Sequence, residues 1–227
     1  GVPEDRVLLV GTGRQSTRAT IAATRRAAKA GADAALVLTP FFFKGRMTQD
    51  ALADYYRAVA DASPVPVLLY NNTGVTGINL SPDTVAALSV YPNVAGMKDS
   101  NGDVAQVAGT IARVEDCFTL LVGSAATIYP SLLVGADGAI VAVANVVPDL
   151  CVELYDLALA GRYDEARLLQ QRITPLALAV TREHGIPGLK AAMEMAGYAG
   201  GEVRAPLRPS SEAARAEIRR LYDETVG

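Results

Sequence analysis

Residues 94–103 read VAGMKDSNGD, a short apolar run that passes directly into charged and small polar residues. The apolar half is continuous instead of alternating, which is typical of a parallel strand that is buried on both faces. The polar half has the composition of a turn, and Asp103 is well suited to cap a helix that begins after it. This stretch therefore predicts one complete step from a strand through a turn into a helix.

The same step recurs along the first two-thirds of the chain. Five further apolar runs are RVLLVGT (6–12), AALVLT (34–39), VPVLLY (65–70), FTLLVG (118–123) and GAIVAVANV (138–146). Amphipathic helical patterns lie near residues 16–30, 48–62, 81–89, 103–114 and 125–134. Ser81-Pro82 marks one helix start, because a capping serine precedes a first-turn proline. Six βα units in series predict an α/β fold with a parallel sheet.

The chain after residue 147 shows no further strand pattern. Helices are predicted near residues 148–160, 163–182, 187–197 and 210–225, with Gly161 and a Gly185–Pro187 turn as separators. We therefore expect a partial (β/α) barrel of six βα units over residues 1–147. A C-terminal helical region over residues 148–227 is expected to pack on that barrel.

Two architectures accommodate six βα units, a doubly wound open sheet and a (β/α)8 barrel that lacks two units. The regular spacing of the units, without a switch-point signature, favours the TIM-barrel type. A complete barrel of this type takes roughly 250 residues for eight units, whereas six units here occupy residues 1–147. The expectation is a (β/α)8 barrel lacking its first two βα units, which a complete relative would carry as an N-terminal extension.

Composition excludes several classes of function. Half of the 227 residues are hydrophobic, which indicates a globular protein, and the net charge is −3 with scattered basic residues. Nucleic-acid binding needs a concentrated basic surface and is therefore not expected. No apolar run reaches the ~18–20 residues of a membrane-spanning helix, so no membrane contact is expected either. Cys117 and Cys151 are isolated, which favours a reduced protein and a cytoplasmic location.

Three features resemble ligand sites but depart from them. GTGRQS (11–16) has Ser16 where a dinucleotide-binding loop has its third glycine, which favours a helix cap over a nucleotide site. The DSNGD turn has Val104 where a calcium loop requires glycine. His184 is the only histidine, so a multi-histidine metal site is excluded and a structural role is favoured. None of these three features is expected to form a ligand site.

FFFKGRM (41–47) places three consecutive aromatic residues in a loop that follows a predicted strand end. Such a cluster favours a subunit contact or a lid over the core. The functional alternative is a wall of a substrate pocket, with Phe42 as the candidate residue.

Lys98 and Tyr70 are the strongest candidates for chemistry, because both end predicted strands that are consecutive in the chain. Neighbouring parallel strands lie about 4.8 Å apart, and barrel active sites form at the carboxyl ends of the strands. In apolar surroundings a lysine favours its neutral amine, which can attack a carbonyl and form a Schiff base, and a neighbouring phenol can transfer protons. The alternative is a lysine that extends to the barrel rim and pairs with Asp99.

Several motifs together resemble the dihydrodipicolinate synthase / N-acetylneuraminate lyase family. YNNTGVTG (70–77) followed by VAGMKDS (94–100) is similar to the paired tyrosine and lysine motifs of that family. GADAALVLTPFF (31–42) and the stretch over residues 120–146 also resemble it. The tail VTREHGIPGLKAAMEMAGYAGGEVRAPL (180–207) is similar to the 4-hydroxy-2-oxoglutarate aldolase branch. The resemblance covers essentially the whole chain.

The resemblance implies a class I aldolase, a carbon–carbon lyase that acts on pyruvate or another small 2-oxo acid without a cofactor. Lys98 matches the family's Schiff-base lysine, and Tyr70 matches its proton-relaying tyrosine. Gly123 and Ile140 match positions whose backbone surrounds the pyruvate moiety. The implied reaction cleaves 4-hydroxy-2-oxoglutarate to pyruvate and glyoxylate, and the implied assembly is a homo-oligomer, either a tetramer or a dimer.

Three departures from the family pattern leave alternatives open. The family places two βα units with a Gly- and Thr/Ser-rich pyruvate-binding loop before the segment that starts at Gly1, so an incomplete enzyme is expected. Phe42 replaces a tyrosine that reaches into the neighbouring subunit's site. Val75 replaces an arginine that receives the second substrate's carboxylate in lysine-biosynthetic synthases. The alternatives are a 4-hydroxy-tetrahydrodipicolinate synthase or sugar-acid aldolase, and an inactive truncated binding protein.

Overall fold

The computed structural model describes residues 2–3 and 5–227, and these residues contain a six-stranded sheet. The strands are β1 (Leu9–Gly11), β2 (Ala34–Leu38), β3 (Val67–Asn71), β4 (Val94–Asp99), β5 (Thr119–Val122) and β6 (Gly138–Ala139). They neighbour one another in chain order, and the pairs from β1 to β4 are parallel. Because helices connect the successive strands, the predicted α/β fold with a parallel sheet is confirmed.

The helices lie close to their predicted places. They are α1 (Thr17–Lys29), α2 (Gln49–Ala62), α3 (Thr73–Thr76), α4 (Pro82–Ser89), α5 (Val104–Ile111), α6 (Ile128–Leu133), α7 (Pro148–Leu159), α8 (Tyr163–Leu178), α9 (Gly185–Met195) and α10 (Glu212–Val226). Among the described residues, no helix combines the length and the apolar content that crossing a membrane would require. The sequence did not predict α3, because a single short turn has no apolar periodicity to detect.

Side-chain caps start three of the helices where the sequence predicts them. Ser16, Ser81 and Asp103 each accept a hydrogen bond from the backbone N–H three residues further on, at 3.3, 3.2 and 3.0 Å. Each cap satisfies one of the N–H groups that a helix start leaves unpaired. The caps therefore fix where the turn after each strand ends and the next helix begins.

Contacts group the chain into two compact units. The first comprises Gly1–Leu121 and Gly135–Asp137, and the second comprises Val122–Val134 and Gly138–Gly227. The largest buried side chains of the first unit come from its sheet, from α2 and α4, and from the loop before α4, and include Leu52, Tyr56, Leu69, Leu80, Leu88 and Met97. Those of the second unit come mainly from its helices, and include Ile128, Leu154, Ile173, Leu176 and Ile218. The division at residue 147 stays a prediction.

One predicted strand is wrong over most of its length. The segment 138–146 is a strand only at β6, and Ala142–Asn145 forms a 3-10 turn. A hydrogen bond from the Ala144 N–H to the Val141 carbonyl helps to close that turn. Val143 inside the turn is fully buried, so the apolar run reflects burial, which alone does not distinguish a strand from a turn.

Two details of the C-terminal helices also differ from the prediction. The helix expected over residues 163–182 is α-helical to the end of α8, and Ala179–Glu183 continues it as a π-helical turn. The expected turn at Gly185–Pro187 is the first turn of α9. Pro187 is tolerated there because the N–H groups of the first helical turn have no hydrogen-bond acceptor within the helix, so the missing N–H of proline breaks no bond.

The register between β3 and β4 shifts by one residue near the start of the pair. Val67 lies opposite Val94, but Leu68 lies opposite Gly96, so Ala95 is an extra residue in β4. Relative to unshifted pairing, such a bulge changes the partner of every later residue in the strand. It lies three residues before Lys98, and it therefore decides what that lysine faces.

We predict that Gly96→Ala destabilises the fold and that Gly11→Ala, at the end of β1, does not. A Cβ at Gly96 would overlap the carbonyl oxygen of Thr119 in β5 and lie 3.1 Å from the Thr119 Cβ, whereas a Cβ at Gly11 meets nothing within 4 Å. Overpacking of this kind costs roughly 1–3 kcal/mol, so the urea midpoint should fall for Gly96→Ala alone. Equal midpoints for the two variants would contradict the close approach of β4 to β5.

Candidate active site

Tyr70 and Lys98 lie directly opposite each other on β3 and β4. The Lys98 Nζ is 4.7 Å from the centroid of the Tyr70 ring, and both side chains are half-buried. An ammonium group over an aromatic face is attracted by the ring's quadrupole, which helps to keep the two side chains together. The adjacency that the strand ends predict is confirmed.

The bulge at Ala95 is what aligns this pair. Without the extra residue, Tyr70 would lie opposite Met97 and Lys98 would lie opposite Asn71. Met97 is fully buried in the core of the first unit. The shifted register therefore keeps an apolar side chain in the core and brings the lysine beside the phenol.

The chain after Tyr70 folds back and holds the phenol. The Asn72 Nδ2 donates a hydrogen bond to the Tyr70 Oη at 3.2 Å. The Asn72 carbonyl in turn accepts a hydrogen bond from the Thr76 Oγ1 at 2.9 Å. Gly77 ends the turn with a φ of +66°, a left-handed conformation that glycine adopts without strain. The loop over residues 72–77 thus fixes the donor that the phenol contacts.

Tyr70 is more acidic than an ordinary tyrosine. Burial by itself raises the pKa of the phenol, but the positive charge of Lys98 and hydrogen bonds from Asn72, Ser100 and Lys98 outweigh it. The pKa is therefore lowered from its usual value of 10.0. A phenol with a lowered pKa releases and regains a proton more readily near neutral pH, as a general acid–base group requires.

A cluster of polar side chains is built around Asn71 and Asp99, which directly follow Tyr70 and Lys98 in β3 and β4. Asn71 and Asp99 are paired in register, and the Asn71 Nδ2 is 3.3 Å from the Asp99 Oδ2. The Gln106 Nε2 donates to the same oxygen at 2.7 Å, and the Asn101 N–H donates to the Asp99 Oδ1 at 2.8 Å. The Asn79 Oδ1 accepts from the side chains of Asn71 and Asn101 at 2.7 and 3.0 Å. We call these five residues the Asp99 cluster.

One part of the alternative role of Lys98 as a rim lysine, its pairing with Asp99, is wrong. Among the described residues Lys98 and Asp99 form no ion pair, and Asp99 is only 3% exposed. Burial raises the pKa of Asp99 and the charge of Asp103 adds to that rise, while hydrogen bonds from its partners in the cluster oppose it. The sequence analysis did not predict the Asp99 cluster. The signal that could have indicated it is the polar residue that directly follows each candidate catalytic residue, Asn71 after Tyr70 and Asp99 after Lys98.

The aromatic loop is held by one side chain. The Gln15 Oε1 accepts hydrogen bonds from the N–H groups of Phe41 and Phe42, both at 2.8 Å. Phe42 is 74% exposed and packs edge-on against Phe43, with the ring centroids 4.9 Å apart. A role for Phe42 in a pocket wall, a lid or a subunit contact stays a prediction.

The two backbone positions matched to pyruvate binding belong to the second unit. Gly123 directly follows β5, and Ile140 directly follows β6. The Ile140 N–H donates a hydrogen bond to the Val122 carbonyl at 2.9 Å. The roles of Gly123 and Ile140 toward a substrate stay predictions.

His184 makes a contact between two helices, and Cys151 is a half-buried thiol. Within the described residues, one group of side chains has the spacing of metal ligands, Glu183, His184 and Glu217 of the second unit. The His184 Nε2 lies 3.0 Å from the Glu217 Oε2, and this contact joins the start of α9 to α10. Burial raises the pKa of Cys151 to about 11, which is opposite to the shift that activates a thiol nucleophile.

Comparison with known proteins links this geometry to a family. A model of the Dihydrodipicolinate synthetase family matches residues 4–225. A 4-hydroxy-tetrahydrodipicolinate synthase of Exiguobacterium sp. is 36% identical over 212 residues, which cover 93% of this chain and 72% of that protein. A probable mitochondrial 4-hydroxy-2-oxoglutarate aldolase of Emericella nidulans is 38% identical over 221 residues, which cover 96% of this chain and 71% of that protein.

Solved structures agree with the sequence similarity. Dihydrodipicolinate synthase of Thermotoga maritima matches with a TM-score of 0.92 and 30% identity, over 98% of this chain and 76% of that chain. The chloride-inhibited dihydrodipicolinate synthase of Acinetobacter baumannii, solved in complex with pyruvate, matches with a TM-score of 0.90 and 34% identity. That match covers 98% of this chain and 76% of the other.

We predict that Lys98→Met raises the pKa of Tyr70. Burial is the largest influence on the phenol and raises its pKa, so loss of the Lys98 charge leaves burial less opposed. The measurement is the ultraviolet absorbance of tyrosinate across a pH titration, with Tyr70→Phe subtracted in each background to isolate the one phenol. A Tyr70 titration that does not move to higher pH would show that the lysine charge does not reach it.

Proposed function

The chain belongs to the dihydrodipicolinate synthetase family, and on that premise we propose that it is a Schiff-base lyase for pyruvate-derived 2-oxo acids. The observation that carries the proposal is the register of β3 and β4, which holds the Lys98 Nζ 4.7 Å from the centre of the Tyr70 ring. A primary amine beside a phenol supplies the nucleophile and the proton donor that imine formation requires.

In the proposed first step, the neutral amine of Lys98 attacks the keto carbon of the substrate. The carbonyl oxygen receives one proton from the Tyr70 phenol and one from the lysine nitrogen and leaves as water while the C=N bond forms, so that Tyr70 becomes a phenolate. The protonated imine then draws electrons from the carbon skeleton and serves as the electron sink, so this chemistry requires no metal or organic cofactor. Arginine could not replace the lysine, because its guanidinium group stays protonated.

The carbon–carbon bond breaks in the second step. For 4-hydroxy-2-oxoglutarate, a base removes the proton of the C4 hydroxyl, the C3–C4 electron pair moves into the imine, and glyoxylate leaves. The remaining enamine takes up a proton at C3, and water hydrolyses the imine to release pyruvate and the free lysine. We assign these proton transfers to Tyr70, the phenol that lies beside Lys98.

We propose 4-hydroxy-2-oxoglutarate as the substrate. Residues 180–207 resemble the aldolase branch that cleaves this compound, and the similar protein of Emericella nidulans carries the corresponding name. Val75 supports the same choice, because it is a 66% exposed apolar side chain at the position where synthases are implied to hold a carboxylate with arginine. Valine offers no donor to a carboxylate, whereas the guanidinium fork binds one with two hydrogen bonds.

A second candidate reaction is the condensation of pyruvate with aspartate semialdehyde. It is favoured by the names of similar proteins, since those of Exiguobacterium sp. and Geotalea daltonii are called 4-hydroxy-tetrahydrodipicolinate synthase. Both candidate reactions would begin with the same imine on Lys98, so they differ in the second substrate and not in the first step.

Finer features of the protein are proposed on the same basis. We propose that the six strands form part of a (β/α)8 barrel, which the TM-scores of 0.92 and 0.90 against family structures support. We also propose Gly123 and Ile140 as backbone contacts of the pyruvate moiety, and Phe42 as a pocket residue. A homo-oligomeric assembly and a cytoplasmic location stay predictions from the sequence.

We predict that the full-length protein cleaves 4-hydroxy-2-oxoglutarate with a kcat/KM at least about tenfold above that for the condensation reaction. Lys98→Arg should abolish both reactions, because no imine can form. Tyr70→Phe should lower kcat by roughly 10²-fold or more, as loss of a general acid–base group does. Release of pyruvate and glyoxylate measures cleavage, and consumption of pyruvate with aspartate semialdehyde measures condensation.

Two outcomes would contradict this prediction in different ways. A clear preference for condensation would replace the proposed substrate by the second candidate. A folded, full-length protein without either activity would reject the enzyme and favour the alternative of a binding protein.

A further inference from the structure

We propose that Asp99 is a positioning residue, which acts through the Asp99 cluster to lock the ends of β3 and β4 together and keep Lys98 against Tyr70. The inference rests on the proposed function for its kinetic readout. The contact between Lys98 and Tyr70 is present without substrate, so the effect of Asp99 on it can be tested without measuring turnover.

The catalytic pair and the Asp99 cluster share two strand ends. Lys98 and Asp99 are consecutive in a strand, so their side chains leave the sheet on opposite faces, and the same holds for Tyr70 and Asn71. The Asn71 amide is 3.3 Å from the Asp99 carboxylate, and the Ser100 N–H donates to the Asn71 carbonyl at 2.9 Å. These bonds cross between the strands at the point where each strand becomes a loop.

A second connection runs from Asp99 to the phenol. The Asp99 Oδ1 accepts a hydrogen bond from the Asn101 N–H at 2.8 Å. The Asn101 Oδ1 accepts from the N–H and the Oγ1 of Thr73, at 2.9 and 2.8 Å. Thr73 follows Asn72, whose side chain donates to the Tyr70 Oη at 3.2 Å. A displacement of Asp99 would therefore move the hydrogen-bond donor of the phenol through Asn101, Thr73 and Asn72.

The cluster is built for a carboxylate. Every partner of Asp99 presents an N–H group, from the side chains of Asn71 and Gln106 and from the backbone of Asn101. A carboxylate offers two oxygens that only accept, whereas an amide in its place would turn N–H groups toward these donors. An apolar residue would leave the donors without partners. A buried charge without a counter-ion is costly. The presence of the Asp99 carboxylate at this place therefore indicates that it is needed to orient its three N–H donors, and not only to fill space.

The test compares Asp99→Asn with Leu88→Ala. Asp99→Asn keeps the size of the side chain but opposes donors to donors. Leu88→Ala removes a fully buried side chain of the first unit that lies outside the Asp99 cluster, so it reports the effect of lost stability alone. The measurements are kcat and KM for the proposed substrate, the pH titration of Tyr70 without substrate, and the urea midpoint.

We expect Asp99→Asn to lower kcat by roughly 10- to 100-fold and to change KM by less than about threefold, because a misplacement of ~1 Å can cost ~10²-fold in rate. The pKa of Tyr70 should rise, because the Lys98 charge and the Asn72 hydrogen bond lose the alignment by which they counter burial. Leu88→Ala should lower the urea midpoint at least as far while kcat and the Tyr70 titration stay unchanged.

An unchanged kcat and Tyr70 titration in Asp99→Asn would overturn the proposal, and so would equal changes in Leu88→Ala. If Asp99→Asn does not fold, Asn101→Ala breaks the connection to Thr73 and should also raise the pKa of Tyr70; a Tyr70 titration unaffected by that change overturns the proposal. The proposed function fails separately, when the wild-type protein shows no turnover, and the Tyr70 titration then still decides the role of Asp99.

Discussion

The register between β3 and β4 is the constraint on which the site depends. One extra residue in β4, Ala95, brings Lys98 opposite Tyr70 instead of Asn71. Because side chains alternate between the faces of a strand, the same shift decides which residues meet at the site and which meet in the Asp99 cluster. Gly96 follows the extra residue at a point where β5 approaches too closely for a side chain, so the bulge is built into the packing of the sheet.

The ends of β3 and β4 carry Tyr70 and Lys98 on one face of the sheet and Asn71 and Asp99 on the other. A lysine that forms a covalent bond with a substrate needs a free amine, so its position cannot depend on strong contacts made by that amine. In the proposal, the Asp99 cluster meets both needs, because it joins the two strand ends directly after Tyr70 and Lys98 and makes no use of the lysine amine. The phenol needs a donor and a nearby charge, and the loop beginning at Asn72 and the adjacent strand supply these.

Local patterns predicted much of this arrangement. The ends of the apolar runs placed Tyr70 and Lys98 side by side, because polar residues mark where parallel strands stop even when the register between them is unknown. The bulge at Ala95 was not predictable, since the run VAGMK has the same apolar pattern with or without it. The turn over Ala142–Asn145 was mistaken for a strand because an apolar run reports burial and not backbone geometry. The Asp99 cluster joins side chains from two strand ends, two loops and the first turn of α5, and no single window of sequence contains them all.

Trapping the imine tests the central claim, that Lys98 is the residue that binds the substrate covalently. The full-length protein is incubated with pyruvate, reduced with borohydride, digested and mapped by mass spectrometry. The competing sites in this chain are three other lysines, Lys29, Lys44 and Lys190. We expect a reduced pyruvate adduct on the peptide that contains Lys98, and no adduct in Lys98→Arg. An adduct on a different lysine, or none on the folded protein, would contradict the claim.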